Sequence, residues 1–437
     1  MRKPLALLMC LGTSTLFSHS ALAIDLSTAY SKAVKYDSAL AASRARLEAE
    51  TEGEAQAKAG LLPQVSLGAS ASHQDIDSDN NNDDSYRTSG YSLSLSQPLF
   101  RAQNWYQYTT SQKNTQIAIA QFEKSQQDLI LNVATAYFNV LRAQDNLTTA
   151  QSAEAAFKRQ WEQAKERFDV GLIAITEVHE AKATYDASIT ARIQASSSVN
   201  IAFENLNRLT GERATDIATL AADFPVKQPE PTDTQAWIDR ALQDNLSVRA
   251  SQYTLDTVKE QLRTEKAGHY PTLDLVASYD NSDTTGAALD DTKNNASIGL
   301  SFNLPLYQGG GTQASIRRAR YLVEEARQNL ETLRRNTQLD TSSLFLSVIT
   351  DIQTVQSQKQ LIVSRESALE ATRAGYSVGT RNIVEVLDAE RNYYSALRDY
   401  ANARYDYVID SLTLKQAAGS LNPQDINDLN RWLKSAN

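Results

Sequence analysis

Two carboxylates in the last quarter of the chain, Glu385 and Asp388, have a spacing that suits electrostatic work. Residues three apart share one face of a helix, so the two side chains are predicted to lie together. Repeated around a narrow bore, they would form two stacked acidic rings that bind cations, resist anions and titrate as a coupled set. Asn382 stands three residues before Glu385, so an N3 role in a capping box is the alternative for Glu385.

Three aspartates, Asp75, Asp77 and Asp79, imitate the opening of a calcium-binding loop. Asn80 stands where that loop needs Gly, and Tyr86 stands where it needs the terminal Glu. The segment is therefore interpreted as a solvated loop between strands, with weak cation binding as the alternative.

A further pattern, Gly375-x-Ser377-x-Gly379, matches the nucleophile elbow of serine hydrolases. That motif needs a strand before it, whereas the stretch before Gly375 is predicted to be a long helix. The match is interpreted as chance. The sequence predicts no catalytic residue, no cofactor and no metal site, and the chain is not expected to be an enzyme.

The composition narrows the class of protein. The 437 residues include 43 Lys and Arg against 52 Asp and Glu, a formal net charge of −9, which argues against nucleic-acid binding. The one cysteine, Cys10, lies in a segment with a basic start, an apolar run and the small-x-small end Ala21-Leu22-Ala23. This is the pattern of a signal peptide, so residues 1–23 are predicted to be removed and the exported chain to begin at Ile24, without a thiol.

The chain is predicted to be an internal duplication. Gly60 and Gly268 open similar segments 208 residues apart, and Gly211 and Gly419 close the two copies at the same offset. A constant offset over several motifs indicates duplication of a whole structural unit. The first copy is assigned to residues 24–225, a linker to 226–234, the second copy to 235–430 and a C-terminal tail to 431–437.

Each copy is predicted to contain a helix, two strands, a long helix and a further helix. In the strands, apolar residues alternate with serine, glycine and asparagine, as expected when one face meets lipid and the other water. The predicted strands are residues 63–73, 89–99, 271–281 and 296–305. The predicted long helices are residues 101–168 and 314–376, and the helices after them are 174–210 and 382–418, with the turns at Gly171 and Gly379.

The long helices determine the predicted architecture. Residues 101–168 contain neither proline nor glycine, and at 1.5 Å per residue this helix would be roughly 100 Å long. A helix of that length must line a rod or a tube. Four strands per chain cannot close a barrel, which needs about eight, so several chains must share one. A trimer is the smallest assembly with room for water, and larger rings remain open as alternatives.

Four motifs from the two copies closely resemble the TolC family of outer-membrane efflux and export channels. They are Tyr137-Phe-Asn-Val-Leu141, Arg167-Phe-Asp-Val-Gly171, Ala374-Gly-Tyr-Ser-Val-Gly-Thr-Arg381 and Asn402-Ala-Arg-Tyr-Asp-Tyr407. The resemblance covers residues 24–430. It implies a mainly α fold with β structure, in which a trimeric twelve-stranded β-barrel in the outer membrane of a Gram-negative bacterium continues as a helical coiled-coil barrel in the periplasm.

The resemblance also implies a function and partners. The homotrimer, held in outer-membrane lipid, would be the exit duct of tripartite efflux pumps or of type I protein secretion. A periplasmic adaptor protein and an inner-membrane pump or ABC transporter would dock at its closed periplasmic entrance and open it. A stand-alone diffusion channel is the alternative, although it would not need helices of this length.

The resemblance assigns residues to the entrance as well. In the family, a Tyr and an Arg of the second helical tip bond an Asp and a Thr of the first tip and hold the entrance shut. The matching positions here are Tyr376, Arg381, Glu177 and Thr176, so the Asp is replaced by Glu. The acidic pair of the family's constriction falls on Glu385 and Asp388.

Overall fold

The computed structural model describes residues 24–76, 84–214, 216–286 and 289–434. The predicted signal peptide lies outside these ranges, as do Asp77 and Asp79. The first half of the chain contains α1 (Leu26–Tyr36), α2 (Ser38–Ala59), β1 (Gln64–Ile76), β2 (Asp84–Phe100), α3 (Ala102–Asp169) and α4 (Ile175–Thr210). The short strand β3 (Thr219–Leu220) follows in the connection. The second half contains α5 (Thr234–Asp244), α6 (Leu246–Lys266), β4 (Thr272–Gly286), β5 (Leu289–Asn303), α7 (Gly311–Ser377) and α8 (Ile383–Ala417), followed by α9 (Pro423–Asn430) and β6 (Leu433–Lys434).

The single helix predicted at the start of each half is two helices in the structure. The breaks fall at Asp37 and at Asn245, which are equivalent positions of the two halves, and both residues have extended backbones, with ψ of 118° and 123°. Each side chain caps the helix that follows, since Asp37 accepts from the Leu40 N–H at 2.7 Å and Asn245 from the Val248 N–H at 3.1 Å. Short polar side chains compete with the helical backbone in this way, and so divide one helical pattern in two.

The four long strands form one antiparallel sheet in the order β1-β2-β4-β5. In its register, residues of similar polarity face each other across all four strands. Ser66 pairs with Ser94, Ser94 with Ser278, and Ser278 with Ser297. In the next row, Val65, Leu95, Ala277 and Ile298 pair in the same manner. Since successive side chains of a strand point to opposite faces, one face of the sheet is polar and the other apolar.

The strands are 13 to 17 residues long, which is longer than predicted. Strand pairing continues beyond the apolar alternation into polar pairs such as Asp283 with Thr292 and Asn281 with Asn294. Within the described residues, β1 and β5 each keep one edge unpaired. An ion pair joins the sheet to the helices, because Arg101, just before α3, donates to both carboxylate oxygens of Asp274 on β4 at 2.7 Å.

The helical part contains two packed helix pairs, α3 with α4 and α7 with α8. The two pairs contact each other where α3 packs on α8. The main core lies at mid-height of α3, where Tyr137 and Phe138 are fully buried. The Tyr137 hydroxyl donates to the Ala218 carbonyl oxygen at 2.8 Å and to that of Ile24 at 3.1 Å. In the described ranges, no helix is both long enough and apolar enough to cross a lipid bilayer.

Two segments far apart in sequence meet beside this core. The Ser27 N–H donates to the Asn430 side-chain oxygen at 3.2 Å, and the Asn430 amide donates to Asp25 at 2.9 Å. Strand β6, which lies in the segment assigned as a tail, pairs with β3. A strand of two residues is too short to show any alternation, so the sequence contains no readable signal for it.

Candidate functional site at the helical tips

Two tight turns form the end of the molecule that lies farthest along the long helices from the sheet. Gly171 lies between α3 and α4 with φ of +77°, and Gly379 lies between α7 and α8 with φ of +78°. A Cβ atom at either position would meet no atom of the described residues within 4 Å. The turns therefore require glycine only for the left-handed backbone, as the sequence predicts.

A small apolar core joins the two turns into one tip. Phe157 and Ala164 of α3, Val178 and Ala181 of α4, and Ile383, Val386 and Leu387 of α8 are its buried members. The rings of Trp161 and Tyr185 stack beside it, with centroids 5.5 Å apart. Side chains placed on these turns are consequently held on a packed base rather than on free loops.

Glu385 and Asp388 lie on the first turns of α8, and each carboxylate is paired with an arginine of its own chain. Arg381 donates to Glu385, and the Arg391 guanidinium donates to Asp388 at 2.8 Å. The side chain of Glu385 is 35% exposed and that of Asp388 is 53% exposed. Within one chain the acidic pair is therefore neutralised by two cations, which the sequence reasoning missed although the spacings i,i+4 and i,i+3 are readable.

Glu385 also forms the capping box of α8. Asn382 accepts from the Glu385 N–H at 3.0 Å, and the Glu385 carboxylate accepts from the Asn382 N–H at 3.4 Å. The Arg381 guanidinium, helped by this backbone N–H, holds the pKa of the Glu385 carboxyl below its ordinary value. The cap that the sequence offered as an alternative is present, and it occupies one carboxylate oxygen while Arg381 occupies the other.

The four residues assigned to the latch are placed around the same tip but do not bond one another within the chain. Tyr376 is half-buried on the last turn of α7, and its ring lies 4.6 Å from the Arg167 guanidinium carbon. In the described ranges its hydroxyl is buried without a hydrogen-bond partner. Thr176 is exposed and Glu177 half-exposed on the first turn of α4.

A buried carboxylate, Glu390, is the feature of this tip that sequence reasoning missed. It is 0% exposed, and one of its oxygens accepts from the Gln160 amide at 2.8 Å and from two nitrogens of Arg373 at 3.2 Å and 2.5 Å. Its other oxygen is buried and has no partner among the described residues. Glu390 continues the apolar series Ile383, Val386 and Leu387 along one helix face, and that position is the signal from which it could have been found.

The other chemical motifs form no site in the part of the chain that the structure describes. In the described residues no group of three or more His, Cys, Asp or Glu is arranged to hold a metal ion. Asp75 is exposed, and its carboxylate lies 3.2 Å from the His73 ring nitrogen Nε2. Cation binding at Asp75, Asp77 and Asp79 stays a prediction. Gly375 and Ser377 belong to helix α7, and the Ser377 hydroxyl donates to the Ala374 carbonyl oxygen at 2.7 Å. An exposed nucleophile on a strand-to-helix turn is not what this segment provides.

A family model described as outer membrane efflux protein matches residues 29–212 and again residues 237–420. The chain belongs to this family. The two matches cover equivalent elements of the two halves, from α1 to the end of α4 and from α5 to the end of α8. Internal duplication is therefore confirmed for this outer membrane efflux protein.

Similar proteins agree with that assignment. The outer membrane protein TolC of Escherichia coli K12 is 38% identical over 99% of this chain and 90% of its own length. The proteases secretion protein PrtF of Dickeya chrysanthemi is 28% identical over 95% of this chain and 93% of its own. The CmeC outer membrane channel of Campylobacter jejuni superimposes with a TM-score of 0.79 at 18% identity, covering 94% of this chain and 90% of the other.

These findings confirm the main predictions. The fold is that of an outer-membrane channel subunit, mostly helical with one sheet of four long strands. The protein is an exit duct in the outer membrane of a Gram-negative bacterium, of the kind that serves efflux, type I secretion or both. It is a channel rather than an enzyme, as its family indicates. The roles of the individual tip residues stay predictions.

Proposed function

We propose that the tip formed by the α3–α4 and α7–α8 turns is the closed entrance of this exit duct, and that docking of a periplasmic adaptor and an inner-membrane pump opens it. The observation that carries the proposal is the arrangement of the tip. Charged and hydroxyl groups of both turns stand exposed at the end of the tube, on a base that the apolar core keeps rigid. Such groups can bond a neighbouring subunit without any change in the fold of their own.

The latch of the closed state would join neighbouring subunits. In one chain the Arg381 side chain is 57% exposed and is bonded to Glu385. Because the pair is exposed, Arg381 can leave Glu385 and bond another group. In the ring, Arg381 would bond Thr176 and Glu177 of the next subunit and leave Glu385 facing the bore with Asp388. An exposed charged contact of this kind stabilises by at most about 1 kcal/mol. A few such bonds hold the entrance shut and still give way to a docking partner.

Replacing Arg381 with serine should raise the conductance of the closed channel by about two- to fivefold, because it removes one exposed charged contact per subunit. Planar-bilayer recording of the purified trimer measures this. The matched control is Arg365→Ser on the exposed surface of α7, which should leave conductance as it was. Equal conductance of the Arg381→Ser variant and the unchanged protein would remove Arg381 from the latch.

Replacing Glu385 and Asp388 together with alanine should reduce the preference of the channel for cations. In the closed ring Glu385 is expected to lose Arg381 to the latch, so its charge faces the permeating ions beside Asp388, which is bonded to Arg391. The reversal potential in a salt gradient measures the preference, and it should move toward zero. The control is the pair Glu366→Ala and Glu370→Ala, two exposed carboxylates of α7. An unaltered reversal potential in the Glu385 and Asp388 variant would place the rings elsewhere.

We further propose that the cargo includes secreted proteins as well as small molecules. The relative PrtF is by its name a proteases secretion protein, and it matches this chain over nearly its full length. A deletion strain assayed for drug, dye and protein-toxin export tests the proposal. Loss of export only in the presence of a cognate pump supports a partner-driven duct, whereas free diffusion through the purified channel supports the stand-alone alternative.

A further inference from the structure

The buried carboxylate of Glu390 lies within three turns of the tip. Gln160 is nine residues before the end of α3, Arg373 four before the end of α7, and Glu390 seven after the start of α8. At 1.5 Å per residue these positions lie roughly 6 to 14 Å behind the turns. The contacts of Glu390 thus join three helices at the height where the tip begins.

The location of Glu390 is costly unless it has a specific partner. A carboxylate taken out of water loses several kcal/mol of hydration, and an ion pair with further hydrogen bonds is what compensates for the loss. Arg373 and Gln160 supply the three donors, all directed at one oxygen. The second oxygen has no donor among the described residues, so the contact is one-sided and weaker than a fork that uses both oxygens.

The charged partner of Glu390 is also part of the surface around Tyr376. Arg373 and Tyr376 are three residues apart on α7 and line the same pocket of about 530 Å³, together with Arg159, Gln160 and Arg167. Arg167 lies over the Tyr376 ring. The pocket lies between the ends of α3 and α7, so any separation of these helices changes its width and displaces Tyr376.

We propose that Glu390 is a positioning residue of the entrance. Through Arg373 and Gln160 it holds the end of α7 against α3, and it thereby keeps Tyr376 and the α7–α8 turn in the closed position. This inference rests on the proposed function, in which the tip is the entrance. Movement of α7 away from α3 would break the bond to Arg373, whose side chain is already 44% exposed, and would let water reach the Glu390 carboxylate. This bridge, which Glu390 forms with Arg373 and Gln160, therefore favours two arrangements. In one, α7 is packed on α3 and the Glu390 carboxylate is dry; in the other, the helices are separated and the carboxylate is hydrated.

The test uses conservative substitutions in the full-length channel. Glu390→Gln keeps the shape of the side chain but removes its charge, and the closed–open equilibrium should shift toward open by about threefold. Arg373→Gln leaves the buried charge of Glu390 without its cation, which costs more than removing both charges. This variant should therefore shift the equilibrium toward open by about tenfold. The double variant should resemble Glu390→Gln alone, because the two residues act as one unit. Glu162→Gln, an exposed glutamate at the same height of α3, is the matched control.

Two readouts separate a positioning role from a general contribution to stability. Planar-bilayer conductance should rise in both single variants, while the thermal stability of the trimer changes little in Glu390→Gln. Spin labels at Glu166→Cys and Ser377→Cys, placed on the two sides of the pocket in a chain predicted to have no other thiol after export, should report a greater separation in Arg373→Gln. A lower melting temperature without a rise in conductance or separation would overturn the inference.

The outcomes also distinguish this inference from the proposed function. If Arg381→Ser opens the channel and Glu390→Gln does not, the tip is the entrance but Glu390 does not position it. If neither variant opens the channel, the entrance itself has been misplaced. Should Arg373→Gln fail to assemble, Glu390→Gln decides the question alone.

Discussion

Replacing Gly419 with alanine should lower the free energy of unfolding by about 4 kcal/mol or more, among the largest effects of a single added methyl group. Gly419 follows α8 with φ of +70°, and a Cβ atom there would lie 2.3 Å from the Asp244 carbonyl oxygen and 3.0 Å from the Asn245 nitrogen. Both neighbours are backbone atoms of the break between α5 and α6. Neither can move aside without displacing the two helices that they join.

Two other glycine-to-alanine variants separate the effect of the close contact at Gly419 from that of its left-handed backbone. Gly379→Ala has a similar φ but open space around it, so it should cost only the left-handed strain of about 1 to 2 kcal/mol. Gly211→Ala, the equivalent of Gly419 in the first half, would press on the Tyr36 ring, which can rotate, and should fall between the two. Thermal unfolding followed by circular dichroism gives the order. If Gly419→Ala and Gly379→Ala melt together, the close backbone approach at Gly419 does not exist in the protein.

Replacing Phe138 with alanine should destabilise the protein by about 3 to 5 kcal/mol, the usual cost of emptying a fully packed aromatic site. The ring is 0% exposed and lies 5.8 Å from Tyr137 and 6.2 Å from Tyr405, measured between centroids. The contact with Tyr405 joins α3 to α8 at mid-height, where the two helix pairs meet. Loss of the ring would therefore weaken the contact between the two helix pairs of the subunit.

Two milder variants serve as controls for Phe138. Phe138→Leu keeps much of the buried volume and should cost clearly less than the alanine variant. Tyr137→Phe removes only a hydroxyl that donates to the Ala218 and Ile24 carbonyl oxygens, and about 1 to 2 kcal/mol is expected. The same melting experiment measures all three. An alanine variant no less stable than the leucine variant would mean that the site collapses around the missing ring.

The repeated fold was accessible from sequence because its signals are local or periodic. Alternation in the strands, the absence of helix breakers after Arg101 and the constant offset between Gly211 and Gly419 can each be read without knowing what packs on what. The divisions at Asp37 and Asn245 were missed for a local reason as well, since a capping side chain in an otherwise helical stretch resembles any other polar residue. The capping box at Glu385 was read from spacing and is present.

The bridge at Glu390 could not be predicted in the same way. Gln160 is 230 residues away along the chain, so its contact with Glu390 depends on the height at which α3 and α8 are packed. No periodicity specifies that height to within one turn. The pairing of Arg381 with Glu385 is different, because residues four apart on a helix are neighbours whatever surrounds them. This pairing is therefore predictable from the sequence alone.

The contact of Asp25 and Ser27 with Asn430 has a consequence for biogenesis. The first segment that the structure describes docks onto one that is made some 400 residues later. The amino-terminal helix also packs on α3 and α4, but its polar contacts with Asn430 form only after nearly the whole polypeptide has crossed the inner membrane. A product that ends before Asn430 would therefore leave the Ser27 N–H and the Asp25 carboxylate without these partners, and the two ends of the chain would not be joined here.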